Sequence, residues 1–158
     1  MKNVFALFAL ILLCSFAPEQ KTDVVKVVAV SDGDTIKVIL DGVETRVRLA
    51  SIDAPEKSQA YGQKAKEFTS SKCFGQTVTL RITDTDKYGR KVAFVTLPDG
   101  SSLNRELVRA GLAWHYKRYS TDASLDALQA EAKAAGLGLW ADVNPVAPWD
   151  YRKSGSGN

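Results

Sequence analysis

Residues 35–52, TIKVILDGVETRVRLASI, set apolar and polar side chains at alternate positions on both sides of Asp41-Gly42. Alternation with period two predicts half-buried strands over Thr35–Leu40 and Val43–Ile52. An Asp-Gly pair between two such runs predicts a tight hairpin, because glycine tolerates the positive φ that the turn demands. The hairpin makes the two strands antiparallel neighbours, so the start of one lies beside the end of the other. Before it, the β-branched run Val24–Val30 predicts a strand. After it, Ser58–Cys73 carries Tyr61, Ala65 and Phe68 at helical spacing. Thr77–Ile82 and Lys91–Leu97 read as two further strands, the second ended by Pro98-Asp99-Gly100. Ser101 or Ser102 caps a helix through Leu103, Leu107 and Ala110 that stops at Gly111. Leu112–Tyr116 is a short apolar link. A last helix over Thr121–Ala135 puts Leu125, Leu128 and Ala132 on one face and ends at Gly136. Strands early and helices late predict an α+β fold rather than alternating βαβ units. Five short strands with a helix after the third fit a five-stranded OB-type β-barrel with three α-helices.

The chain has 158 residues, which suits one domain, and its 45% apolar and 25% charged residues exclude a disordered or fibrous polymer. The net charge of +3 is compatible with an anionic partner but names none. Met1-Lys2-Asn3 is a short positive head, Val4–Leu13 is wholly apolar, and Ser15-Phe16-Ala17 follows. This is the three-part pattern of a secretory signal peptide over residues 1–17, too short to span a bilayer. Pro18 after the cut is unfavourable for cleavage there. Cys14 offers a lipid attachment point, although Leu13 before it is bulky where a small residue is expected. The expected location is therefore secreted or periplasmic, with a lipid anchor through Cys14 the less favoured route. Without residues 1–17 the sequence retains one cysteine, Cys73, so no internal disulfide can form. Cys73 follows a helical pattern and reads as a small buried apolar residue. The expected organisation is a barrel domain over residues 22–142 and a partly disordered C-terminal extension over 143–158, whose tail Ser154–Asn158 is small, polar and frayed.

Four clusters carry chemistry: Ser31-Asp32-Gly33-Asp34-Thr35; Arg48 with Asp53-Ala54-Pro55-Glu56; Asp86-Lys87-Tyr88-Gly89-Arg90; and Tyr116-Lys117-Arg118-Tyr119. Asp34 begins the second strand and Asp53 ends the third, so the hairpin brings the two acids together. Adjacent carboxylates repel unless a cation lies between them, and oxygen ligands favour a hard cation, Ca²⁺ or Mg²⁺. Zinc is a poor fit for a chain with one histidine. The competing reading makes Asp32-Gly33-Asp34 a turn held by Asx bonds. Arg46 and Arg48 share a strand face. Each either snorkels to solvent or presents a fork to a phosphate. Asp86–Arg90 is either a polar hairpin loop or part of the same site. Together, a hard-metal pair, an acid in Glu56 and arginines supply the parts for phosphodiester hydrolysis. His115, between Trp114 and Tyr116, reads as packed rather than catalytic, and Trp140 and Trp149 as core or flank anchors. Lys64, Lys66 and Lys72 read as a solvated helix face.

The segments Asp32-Gly33-Asp34-Thr35, Arg48-Leu49, Asp53-Ala54-Pro55-Glu56 and Asp86-Lys87-Tyr88-Gly89-Arg90, followed by Asn104 and Leu107–Ala113, resemble the staphylococcal nuclease (thermonuclease) family in kind and order. The resemblance runs over residues 24 to 140. It implies an OB barrel with three helices and Ca²⁺-dependent cleavage of DNA and RNA, with little sequence specificity, to 3′-phosphate products. It also implies roles. Asp34 and Asp53 would bind Ca²⁺ through carboxylates and Ala54 through its backbone carbonyl. Glu56 would be the general base, or at least the group orienting the attacking water, Arg48 and Arg90 would grip the phosphate and stabilise the transition state, and Asp32 would support the ligands. Lys87, Tyr88 and Tyr119 would contact substrate. The chain departs from the family in three places. Ala54 replaces a threonine, the loop from Glu56 to Tyr61 is shorter than in the best-known member, and Lys117 stands where a second tyrosine is expected. Loss of one stacking ring weakens base contact by about 1–3 kcal/mol, with a lysine's phosphate attraction in exchange. A monomer acting on DNA and RNA is the expectation. The alternatives are a non-catalytic OB module that binds single-stranded nucleic acid, against which three acids in a polyanion groove count, and a processing nuclease of narrower substrate.

Overall fold

The computed structural model describes residues 21–155. The signal-peptide reading of residues 1–17, Cys14 included, lies outside the described residues. Strands β1 (Asp23–Asp32), β2 (Thr35–Leu40), β3 (Val43–Leu49), β5 (Thr77–Thr85) and β6 (Lys91–Thr96) close a barrel in the order β1-β2-β3-β6-β5. The remaining elements are β4 (Ile52–Asp53), α1 (Gly62–Cys73), α2 (Leu103–Arg109), β7 (Trp114–His115), α3 (Ala123–Ala134), a 3₁₀ turn at Gly138–Ala141 and α4 (Pro148–Lys153). The α+β class and the five-stranded barrel are as the alternation predicted.

The hairpin forms at Asp41-Gly42, where both residues take positive φ, 50° and 79°. It pairs Thr35 with Arg48 and Lys37 with Arg46, so Asp34 emerges beside the end of β3. The alternate side chains Val25, Val27, Ile36, Val38, Val47, Leu49, Leu80 and Val95 are all under 5% exposed and fill the barrel. At about 25 cal/mol per Å² of apolar surface, burying such side chains is the main drive to close the sheet. Helix α1 begins at Gly62, four residues later than the spacing suggested, because residues 54–56 are irregular and residues 57–61 form turns and a bend. Cys73 is fully buried, as expected, and burial pushes its thiol up to about 12.

The expected third strand is split. β3 ends at Leu49, the chain turns at Ala50-Ser51, and Ile52-Asp53 pairs instead with Trp114-His115. Ser51 takes φ 66°, a left-handed conformation that L-residues adopt at a cost. Two bonds hold this corner. The Tyr116 amide donates to Ser51 O at 2.9 Å, and Asn104 Nδ2 donates to Ala50 O at 2.9 Å. The Leu112–Tyr116 segment, read as a link, is therefore the strand that pins Asp53.

Candidate active site

Gly33 is the first local cause of the site. A Cβ there would lie 2.7 Å from Ala65 Cβ and 2.8 Å from Ala54 Cβ, so only glycine lets the turn before β2 pack against α1 and the Asp53 corner together. Thr69 of α1 donates to Gly33 O at 2.6 Å and locks the turn. Asp34 and Asp53 are thereby carried inward, to 6% and 1% exposure.

Arg48 joins them. Its Nη1 lies 2.7 Å from Asp34 Oδ2 and its Nη2 2.7 Å from Asp53 Oδ1. The Ala54 amide donates to Asp34 Oδ2 at 2.6 Å. Asp32 accepts from the Asp34 amide at 3.2 Å, so the Asx turn forms as part of the site rather than in place of it. Burial, with the Asp34 charge beside it, pushes Asp32 up to about 7. Burial also raises Asp53, against the downward pull of Arg152 and Arg48.

Arg152, on α4, is the residue that the pattern reading missed. Its Nη2 lies 2.8 Å from Asp53 Oδ2 and its Nη1 2.6 Å from Glu56 Oε1. Glu56 thus joins the cluster through a guanidinium supplied from the far end of the chain. Only the Pro148-Trp149 helix start signalled this element, inside a segment read as an extension. Gln59 Nε2 donates to Val146 O at 2.7 Å and fastens the approach to α4 onto the loop after Glu56.

Arg90 is brought near but not into the cluster. Its Nε lies 2.7 Å from Asp86 Oδ2. Slight desolvation pushes Asp86 up, and donors from Arg90 and Tyr88 outweigh it and hold the carboxyl below its usual range. Val47 pairs with Lys91, so Arg90 and Arg48 flank the same rung of the barrel. Arg46 Nη2 donates to Tyr88 O at 3.3 Å and ties the 86–90 loop to β3. Tyr88 and Tyr119 are exposed at 63% and 70%, with Lys87 over the Tyr88 ring at 5.0 Å. His115 is packed, as expected. It is 2% exposed, its Nδ1 lies 2.8 Å from Asp126 and its Nε2 2.9 Å from Ser120 Oγ.

Among the described residues, no group of three or more His, Cys, Asp or Glu side chains converges in a metal-holding arrangement. The donor set still suits a hard cation. Two buried carboxylates share one guanidinium, the Ala54 amide donates to one of them, and they offer oxygen without sulfur or imidazole. A divalent ion there would take over the charge compensation that Arg48 and Arg152 provide.

Residues 46–142 match the model of the family described as staphylococcal nuclease homologue. An "Uncharacterized endonuclease" of Escherichia coli O157:H7 is 46% identical over 127 residues, covering 80% of this chain and 83% of the relative. An "Uncharacterized endonuclease" of Haemophilus influenzae is 39% identical over 97% of this chain and 84% of its own. A "Micrococcal nuclease" of Shigella flexneri is 37% identical over 82% of this chain and 80% of its own.

Proposed function

The chain belongs to the staphylococcal nuclease homologue family, and from that premise we propose that it is a Ca²⁺-dependent nuclease hydrolysing DNA and RNA with little sequence specificity. One observation carries the reading: Arg48 bridges Asp34 and Asp53 while Arg152 ties Asp53 to Glu56, so three acids and two guanidiniums meet at one place. An OB module that only bound nucleic acid would gain nothing from acids that repel the backbone.

Asp34, Asp53 and the Ala54 carbonyl would hold the ion, which when bound polarises a phosphate oxygen. Glu56 takes the proton of the attacking water as its oxygen bonds to phosphorus. The P–O5′ bond breaks, the 5′-oxygen takes a proton from solvent as Glu56 releases its own there, and the phosphate stays on the 3′ side. Negative charge builds on the non-bridging oxygens in the transition state. Arg48 meets it from the barrel. Arg90 meets it once it turns from Asp86, and fixed guanidiniums there are worth a factor on the order of 10² or more in kcat. Lys87 and Tyr88 contact the neighbouring phosphate and sugar, and Tyr119 offers an exposed ring to a base. Asp32 steadies Asp34 through its amide. Export through residues 1–17 completes the reading, and N-terminal sequencing of the mature protein tests it.

The test is incubation of the purified protein with DNA and RNA, with and without Ca²⁺, followed by end-group analysis. Ca²⁺-dependent fragments ending in 3′-phosphate are expected. Undiminished cleavage in excess chelator, or 5′-phosphate ends, would contradict the proposal.

A further inference from the structure

Beside the carboxylate cluster lies a second feature, which takes in part of the Tyr116–Tyr119 segment and extends well beyond it. A cavity of about 750 Å³ opens between β7, α3 and α4, lined in part by Trp114, Tyr116, Lys133, Trp149, Arg152 and Lys153. Its lining holds five cations and no carboxylate. Three of its lining rings, Trp114, Tyr116 and Trp149, belong to a continuous file that extends past it to Trp140 at one end and Tyr119 at the other. Trp140 meets Trp114 edge-on at 4.4 Å, Trp114 meets Trp149 at 5.5 Å, Trp149 stacks on Tyr116 at 5.2 Å, and Tyr116 meets Tyr119 at 5.0 Å. Cations lie over both ends of the file. Lys133 sits over Trp140 at 4.4 Å and Arg118 over Tyr119 at 5.8 Å. Arg152 is paired with Asp53 and Glu56, Lys117 with Asp126 and Lys153 with Asp150, and among the described residues no ion pair neutralises Lys133 or Arg118.

Positive groove walls with interleaved aromatic faces are what a single nucleic-acid strand requires. Phosphates follow the cations, bases lie on the rings, and neither contact depends on base identity. The groove also has a fixed start, since Arg152 lines it and at the same time touches Asp53 and Glu56. We propose that α4 builds a subsite for the nucleotides of a single strand that flank the scissile phosphate, and that Arg152 is the joint between this subsite and the reaction centre. The proposal rests on the nuclease reading. The C-terminal segment becomes part of the substrate-binding surface, and the preferred substrate becomes one long enough to leave the reaction centre and enter the groove.

Steady-state cleavage of oligothymidylates of two and eight nucleotides by the full chain tests it. The variant Lys133→Glu/Lys153→Glu should raise KM for the eight-nucleotide strand on the order of tenfold. KM for the two-nucleotide substrate should stay within twofold, with kcat little changed. Trp149→Ala should act in the same direction and Trp149→Phe should restore the native value, which a merely structural loss of the helix would not do. An unchanged KM on the long strand would overturn the proposal. So would an equal rise on both substrates, which would mean diffuse attraction rather than a subsite. If the native chain cleaves neither substrate, the nuclease reading fails on its own. The groove is then judged by anisotropy of a labelled eight-nucleotide strand in chelator, where equal binding by native and variant chains would overturn it.

Discussion

The guanidinium of Arg152 lies 2.6 Å from Glu56 Oε1, across 96 positions of sequence, so the last helix of the chain holds the acid assigned to the attacking water. The same guanidinium reaches Asp53 at 2.8 Å. Breaking this contact leaves an acid of 1% exposure with one guanidinium in place of two. Arg152 is itself 40% exposed, so the loss falls below that of a fully buried pair. In chelator, Arg152→Met should lower stability by about 1–3 kcal/mol by urea unfolding. Saturating Ca²⁺ should narrow the gap, because an ion between the carboxylates replaces the missing charge. A variant as stable as the native chain in chelator would reduce the contact to a surface ion pair.

Glu56 and Arg48 separate chemistry from folding. Glu56 is half-buried and Arg48 sits at the barrel's mouth, so Glu56→Gln and Arg48→Lys should both fold with native circular dichroism. Each should lose kcat on the order of 10² or more with a smaller change in KM. Near-native turnover in either folded variant would remove that residue from the mechanism.

Asn104 is expected to matter for stability alone. Its side chain is fully buried, with Oδ1 accepting from the Val95 amide at 3.0 Å and Nδ2 donating to Ala50 O and Ala93 O. Asn104→Ala removes the partner of the Val95 amide and of Ala50 O, while Ala93 O keeps the Ala50 amide at 2.8 Å. A loss of about 2–3 kcal/mol in urea unfolding is expected. A loss under half of that would mean the backbone finds other partners.

Cys73 gives the pH prediction. Burial pushes the folded thiol up to about 12 from the ordinary 9.0, so the fold favours the neutral form. Stability from this group is intact below pH 9, where the unfolded thiol is also neutral, and erodes as pH rises from there towards 12. The native protein should resist thiol-specific labelling at pH 8 and react fully once denatured. Rapid labelling of the native chain would place Cys73 at the surface.

The barrel was legible because its signals are local. Alternation around Asp41-Gly42 fixes the hairpin register, and that register sets Asp34 beside Arg48. What local pattern could not give is pairing at long range. Ile52-Asp53 forms too short a strand to announce itself, and its partner Trp114-His115 lies about sixty positions away, so the corner at Ser51 was read as one continuous strand. Arg152 was missed for the same reason, since α4 has six residues and acquires its role only by docking. Arg90 reads from its residue type as part of the acid cluster, while the carboxylate it pairs with, Asp86, is four residues off in its own loop.

All three tryptophans of the chain belong to the file of rings beside α4, and the barrel interior has none. The molecule's ultraviolet emission therefore originates at one edge of the structure. A change in its colour or yield would register undocking of the last helix even with the barrel intact, so melting curves read by fluorescence and by backbone absorbance would report two different events.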